Sequence, residues 1–238
     1  KMKLKQLSAL CLAGTMLTAS SLAMAWESED GQHSTSASVA LSSEYVWRGI
    51  SQTDEDPAIS GSFDYGHSSG FYAGAWASNV DYGDDASAEI DIYAGFAGEF
   101  GDSGVGFDVG ALRYIFPGED YNFNEVYAFV SYSFLTAGVA HSSDTLGSGE
   151  SGTYYSLDAG YDLPFGGLSL AAGVGLYDAD DNAFAAGEDE YTNYYIGVSK
   201  EFAGFGWDIT YTDTDGDGED IYGDLADGTF VFSISKSM

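Results

Sequence analysis

Several kinds of residue are scarce in this chain of 238 residues. Cysteine occurs once, as Cys11, proline three times, and Lys and Arg together seven times against 38 Asp and Glu. With no cysteine after the N-terminal segment, disulfides, cysteine metal sites and a cysteine nucleophile are excluded there. The net charge of −31 excludes nucleic acid as a partner, because both surfaces would be acidic. Beyond the N-terminal segment no stretch is apolar over about 18 residues, which excludes a transmembrane helix.

The N-terminal segment has the three parts of a secretory signal peptide. Three lysines supply positive charge, residues 7–19 form a short apolar run, and Ala23-Met24-Ala25 is an A-x-A cleavage site. A membrane anchor is the alternative, but the apolar run is too short, because crossing a bilayer takes about 20 residues. We predict a signal peptide at residues 1–25, a short polar segment at 26–35 and one domain at 36–238.

The rest of the chain alternates between segments of roughly ten residues and two kinds of connection. The tight connections lie near 67–70, 101–104, 134–136, 164–167 and 203–206, and the long acidic ones at 50–57, 81–88, 117–122, 142–152, 178–190 and 213–228. Eleven connections join twelve strands, and short turns on one side with long loops on the other are typical of an outer-membrane barrel. The predicted fold is all-β: a single antiparallel up-and-down transmembrane β-barrel of about 12 strands.

Within the segments, apolar residues recur at every second position, which gives each strand one apolar and one polar face. For example, Ile90, Ile92 and Phe96 alternate with Glu89 and Asp91. In a soluble sandwich the polar face would meet outside water, whereas in a membrane barrel it lines the lumen. Aromatic residues at the ends of nearly every segment favour the barrel, because amphipathic rings settle at the level of the lipid headgroups.

Eleven carboxylates lie within the predicted strands, all on the polar face, and one arginine joins them. Arg48 is predicted at the end of the first strand, where it either constricts the pore and selects solutes or only neutralises an acidic interior. The candidate lumen and selectivity residues are Glu44, Arg48, Asp64, Glu89, Asp91, Asp108, Glu125, Asp158, Asp162 and Asp208.

One long loop contains a calcium-like pattern. Asp213-Thr-Asp215-Gly-Asp217-Gly218 matches the start of an EF-hand loop, and Asp224 stands at the position of its last ligand. Against this, Asp220 occupies a position where an apolar residue is usual, and the flanks predict strands. A solvated acidic loop is the alternative. We expect no cofactor other than loosely bound Ca²⁺ at the loops.

Histidine, the commonest general base, occurs only as His33, His67 and His141. Ser142 and Asp144 lie beside His141, but a working nucleophile and its base usually come from separate segments. We therefore predict that the protein is not an enzyme.

Six stretches resemble the TorF family of porins: LSSEYVWRGISQ at 41–52, PA at 57–58, GSFDY at 61–65, SGFYAG at 69–74, WASNV at 76–80 and EIDIY at 89–93. The similarity is dense over 36–117 and thinner towards the C-terminus. It implies a proteobacterial outer-membrane barrel and supplies no catalytic residues.

These observations predict a porin-like channel in the Gram-negative outer membrane. We expect passive diffusion of small polar solutes with a bias for cations, through a lumen that inward rings such as Tyr93, Tyr154 and Tyr195 narrow. The expected partners are lipid, lipopolysaccharide and small polar or cationic solutes, and the expected state is a monomer. One alternative is a plugged barrel that acts as a surface adhesin or structural protein, and another is a soluble acidic binding protein of the periplasm. Adaptation to a saline habitat is a second explanation of the acidic loops.

Overall fold

A computed structural model describes residues 26–180, 183–184 and 188–238. The predicted signal peptide at 1–25 lies outside the described residues. The long strands, numbered in chain order, are β1 His33–Ser42, β2 Ala58–His67, β3 Phe71–Asn79, β4 Ala88–Glu99, β5 Val105–Ile115, β6 Phe123–Tyr132, β7 Leu135–Ser142, β8 Gly152–Asp162, β9 Leu168–Ala179, β10 Glu190–Phe202, β11 Phe205–Thr214 and β12 Thr229–Ser237. The short elements are strands Trp26–Glu27, Val46–Trp47 and Ile50–Ser51, helix α1 Gly216–Tyr222, and 3₁₀ turns Thr145–Gly147 and Gly223–Ala226.

The twelve long strands close into a barrel. Each pairs antiparallel with the next, and β12 pairs with β1, with Ser233 opposite Ser42. Closure pairs the strand edges that an open sheet would leave free, which lipid could not satisfy. The predicted all-β, up-and-down barrel of about 12 strands is confirmed.

The apolar face of the alternating pattern is the outer face. Phe63, Ile92 and Leu157 are 59%, 54% and 50% exposed, whereas Glu89 and Glu125 are each 2% exposed inside the barrel. Successive side chains of a strand point to opposite faces, so this register places apolar side chains on the outer face and carboxylates on the inner face. None of the helices in the described part of the chain is long and apolar enough to cross a membrane.

The first segment departs from the prediction at both ends. β1 begins at His33, and Trp26–Glu27 pairs with Ser34 and Thr35, so part of the polar segment 26–35 is β-structure. At its other end β1 stops at Ser42, and the long connection runs over 43–57 instead of 50–57. The prediction that the first strand continues to Arg48 is therefore wrong, because residues beyond Ser42 leave the wall.

Candidate functional site in the lumen

The barrel has two different rims, and its lumen has two halves. The six long connections lie at the loop rim, and the five tight turns lie at the turn rim together with both ends of the described chain. We call the adjoining sections of the lumen the loop half and the turn half.

The loop half is filled by the first long connection, which folds back into the lumen. We call its residues 44–53 the plug, since each of them is buried. Val46–Trp47 and Ile50–Ser51 pair as a two-stranded ribbon inside it. The backbone N–H of Asp81 donates to the carbonyl of Gln52 at 2.9 Å, which ties the plug to the second long connection.

The plug turns at Gly49, where φ is +87°, a left-handed conformation that favours glycine. A Cβ at this position would lie 2.7 Å from Cβ of Asn193 on β10 and 2.8 Å from Cγ2 of Thr214 on β11. These are closer than side-chain atoms approach one another. The plug therefore packs tightly against the wall at β10 and β11 and leaves no space there for a larger residue.

Arg48, next to that turn, is held by groups from several strands. Its Nη2 donates to Oε2 of Glu125 on β6 at 2.6 Å, and both side chains are almost wholly buried. Its guanidinium carbon lies 4.2 Å from the ring centre of Tyr154 on β8, 4.7 Å from that of Tyr177 on β9 and 4.2 Å from that of Trp47. Burial alone would lower the pKa of Arg48, but Glu125 and the tyrosines raise it, so Arg48 stays charged. Arg48 was predicted on the wall, and the structure instead places it in the plug.

Glu44 also belongs to the plug and not to the wall, which corrects its predicted position. Its Oε1 accepts a hydrogen bond from Thr229 Oγ1 on β12 at 2.9 Å. Tyr45 donates its hydroxyl to Oε1 of Glu89 on β4 at 3.0 Å. Carboxylates of the plug and of the wall are thus both buried at this level, and Asp91 is 5% exposed beside them.

Aromatic rings pack the rest of the loop half. Trp47 meets Tyr114 and Tyr177 edge-on with ring centres 5.9 Å apart, and Tyr45 lies 5.1 Å from Trp76. Aromatic pairs of this kind add about 0.5–1.5 kcal/mol each beyond the area they bury. The loop half is therefore packed like the core of a soluble protein.

The turn half is lined by four aspartates at regular intervals around the wall. Asp64, Asp108, Asp158 and Asp208 lie on β2, β5, β8 and β11, every third strand of the twelve. Each lies three or four residues from the end of its strand at the turn rim. We call them the aspartate belt. Each follows a small residue and an outward apolar one: Ser62-Phe63, Gly106-Phe107, Ser156-Leu157 and Gly206-Trp207.

Two of these aspartates sit in matching rows of three side chains. Tyr93 on β4 is directly opposite Gly74 on β3, which is opposite Asp64 on β2. The tyrosine ring lies over the glycine, where a Cβ would be 2.6 Å from the hydroxyl oxygen, and the hydroxyl donates to Asp64. On β10, β9 and β8, Tyr195, Gly173 and Asp158 repeat the row, and Tyr195 donates to Asp158 at 2.8 Å. The glycines make room for the rings that hold the carboxylates.

The remaining belt members have other partners. Tyr72 donates to Asp108 at 2.6 Å, and Thr210 donates to Oδ1 of Asp208 at 2.9 Å. Nearer the turn rim the lumen opens: Gly160 is exposed, and a Cβ added there would meet nothing within 4 Å. Asp162 lies beyond it, exposed at the rim, where it accepts a hydrogen bond from Ser169. Asp162 is therefore a residue of the turn rim and not of the enclosed lumen.

The four carboxylates of the calcium-like pattern are in different elements. Asp213 accepts hydrogen bonds from the hydroxyls of Tyr194 and Tyr211, and Asp215 caps helix α1 by accepting from the N–H of Gly218 at 3.3 Å. Asp217 lies in α1 and Asp224 in the following 3₁₀ turn. Within the described ranges no group of three or more His, Cys, Asp or Glu residues is placed to hold a metal ion. The helix replaces the loop that the pattern predicted.

His141 and Ser142 point to opposite faces of β7. His141 is exposed on the outer face, where Nδ1 is 3.0 Å from Thr153 Oγ1, whereas Ser142 is buried inside. The structure therefore does not bring these two neighbours together as a base and a nucleophile.

The chain matches one family model and a group of solved structures. The model of a family described as "bacterial protein of unknown function (Gcw_chp)" matches residues 27–238. A search of curated proteins finds no match. The TorF resemblance is not among these matches and stays a prediction.

Solved structures match over most of the chain. The KdgM porin has a TM-score of 0.52 and 7% identity, with 85% of this chain and 99% of that chain covered. A structure from work on in-meso crystallisation of membrane proteins has a TM-score of 0.52 and 11% identity, covering 86% of this chain and 83% of that one. An outer membrane channel from Pseudomonas putida F1 has a TM-score of 0.48 and 11% identity, covering 85% and 94%. At 7% and 11% identity, the first two matches show the fold.

Proposed function

The chain belongs to the Gcw_chp family of bacterial proteins of unknown function, and we propose that this member is a porin-like channel of the Gram-negative outer membrane. Its apolar outer face suits lipid, and in such barrels the long loops face the outside of the cell. The observation that carries the proposal is the aspartate belt, which rings the inner wall of a closed barrel between the plug and the turn rim. The proposal involves no catalysis.

The solutes we propose are small, polar and preferably cationic. Carboxylates that line a low-dielectric passage concentrate cations and repel anions. The plug closes the loop half in the conformation described, so passage requires the plug to move. Lipid and lipopolysaccharide are the proposed partners, and the proposed state is a monomer.

The test compares the mature protein with a variant in which residues 44–53 are replaced by a Gly-Ser linker. Each is reconstituted in a planar bilayer under a KCl gradient. We expect brief or small openings from the wild type, and from the variant a steady conductance with a reversal potential that favours K⁺. A variant that is folded, by heat-modifiable gel migration, but silent would contradict the channel.

A second candidate function is favoured by the plug itself. A barrel closed in its loop half can serve as a scaffold for its six long connections, as an adhesin or structural protein of the surface. The same recordings separate the two candidates. In a scaffold, other loops also close the lumen, so the variant without the plug stays silent.

A further inference from the structure

Three side chains of the wall in the loop half surround the guanidinium of Arg48. Glu125, Tyr154 and Tyr177 come from β6, β8 and β9, and together they present one carboxylate and two aromatic rings to a single point. Carboxylates bind guanidinium through charge-assisted hydrogen bonds, and aromatic faces attract cations within about 6 Å. The group found at that point is the guanidinium of Arg48, which belongs to the plug.

The carboxylate needs a positive partner. Glu125 is 2% exposed, and apart from Arg48 its nearest described donor is the Tyr114 hydroxyl, at 3.5 Å. While the loop half stays packed, a carboxylate left alone there is strongly unfavourable. If the plug moves and water enters, a cation that meets the carboxylate and stacks on the two rings gains contacts that water does not offer.

Arg48 occupies the site with a strained backbone. Its φ is +48°, a conformation that non-glycine residues adopt only rarely. A free guanidinium compound could occupy the same point without the backbone strain that the plug imposes.

We propose that Glu125, Tyr154 and Tyr177 form a receptor for solutes that carry a guanidinium group, and that Arg48 occupies it as an internal ligand which such solutes displace. A planar guanidinium suits the site better than a compact ammonium, because it stacks on rings while its edge meets a carboxylate. Displacement would free the plug and open the loop half. This opening rests on the proposed channel function, whereas binding at the site does not.

Binding is tested first, by calorimetry on the full mature chain in detergent with ethylguanidinium as the probe. The Arg48→Ala variant removes the internal ligand and keeps the wall. We expect it to bind ethylguanidinium, and the double variant Arg48→Ala/Glu125→Gln to bind at least about tenfold more weakly. Urea, a neutral compound of the same shape, and ethylammonium serve as controls and should bind less well. If Arg48→Ala does not fold, the linker variant of residues 44–53 is used in its place, because it exposes the same wall.

Two results would overturn the receptor: a folded variant that binds ethylguanidinium no better than urea, or binding that survives Glu125→Gln. Conductance then separates this inference from the channel itself. Ethylguanidinium should raise the open probability of the wild type several-fold, and urea should not. Binding without conductance in any variant contradicts only the channel, whereas a conducting linker variant that binds no guanidinium contradicts only the receptor.

Discussion

The two halves of the lumen are built from the same twelve strands and are filled in opposite ways. In the loop half, Trp47 and Tyr45 of the plug pack against wall rings, and the buried charges of Arg48 and Glu125 are paired. In the turn half, Asp64 and Asp158 are half-buried and accept hydrogen bonds from tyrosine hydroxyls whose rings lie over glycines. The other two aspartates of the belt are buried in the wall. The difference shows that the same barrel wall can enclose a densely packed section and a section lined by carboxylates. A connecting segment that returns into the lumen fills the first and is absent from the second.

The largest effect is expected from Glu125→Gln, which breaks the ion pair of the loop half. Arg48 would be left buried without a counter-charge, a change that typically costs about 3–5 kcal/mol. We expect the free energy of unfolding in urea and lipid vesicles to fall by this order, and channel openings to become longer. The matched control is Glu99→Gln, the same substitution at an exposed position on β4. It should change neither the free energy of unfolding nor the length of the openings. An unchanged unfolding midpoint would show that the pair does not hold the plug.

Next in size is Gly49→Val, which tests the contact of the plug with β10 and β11. The new side chain would collide with Asn193 and Thr214, and the positive φ would be strained, at a cost of about 1–3 kcal/mol. Gly83→Val is the control, because Gly83 also has positive φ, of +74°, but has open space around it. We expect Gly49→Val alone to raise conductance. Equal behaviour of the two variants would mean that backbone strain, and not the contact, explains the result.

The turn half is tested by neutralising two opposite members of the aspartate belt, Asp64→Asn together with Asp158→Asn. The reversal potential under a KCl gradient should move towards zero, because the passage loses half of the belt's charge. Asp102→Asn with Asp162→Asn removes the same charge from the exposed turn rim and should shift the potential less. The recording is best made on the linker variant, in which the plug no longer limits the current. Equal shifts would assign the selectivity to the rim.

The smallest effect is expected from Tyr93→Phe. The ring stays over Gly74 while the hydrogen bond to Asp64 is lost, which costs about 1 kcal/mol. Tyr132→Phe, on an exposed ring near the turn rim, is the control for unfolding in urea. If Tyr93→Phe lowers the free energy of unfolding well beyond the control, the hydrogen bond of the row stabilises the barrel. Equal values for the two variants would mean that this hydrogen bond adds no stability.

The strands could be predicted from sequence because they depend on local signals. The period of two and the lengths of the connections give the strand number and the face of each side chain, and the inward positions of Tyr93, Tyr154 and Tyr195 followed from the same alternation. Asp64, Asp108, Asp158 and Asp208 were candidates for the same reason.

The plug could not be predicted in this way. The alternation continues past Ser42 through Val46 and Arg48, so the local pattern does not mark the point where the chain leaves the wall. Its position depends on partners far along the chain, such as Glu125 and Asn193. One signal was present: Val46, Trp47 and Ile50 are too apolar for a loop that faces water. The short helix within the calcium-like stretch was also not predicted, although its start after the cap at Asp215 is a local signal.

The aspartate belt recurs at intervals of 44, 50 and 50 residues, once for every three strands. Three is odd, so successive copies of the small–apolar–Asp tripeptide run in opposite directions: Asp64 and Asp158 lie on strands that descend to the turn rim, Asp108 and Asp208 on strands that ascend from it. A barrel with this interval can therefore lengthen or shorten its circumference only six strands at a time if both chain ends are to stay at one rim. Relatives with wider rings that keep the interval should count eighteen strands, because six are too few for a membrane barrel.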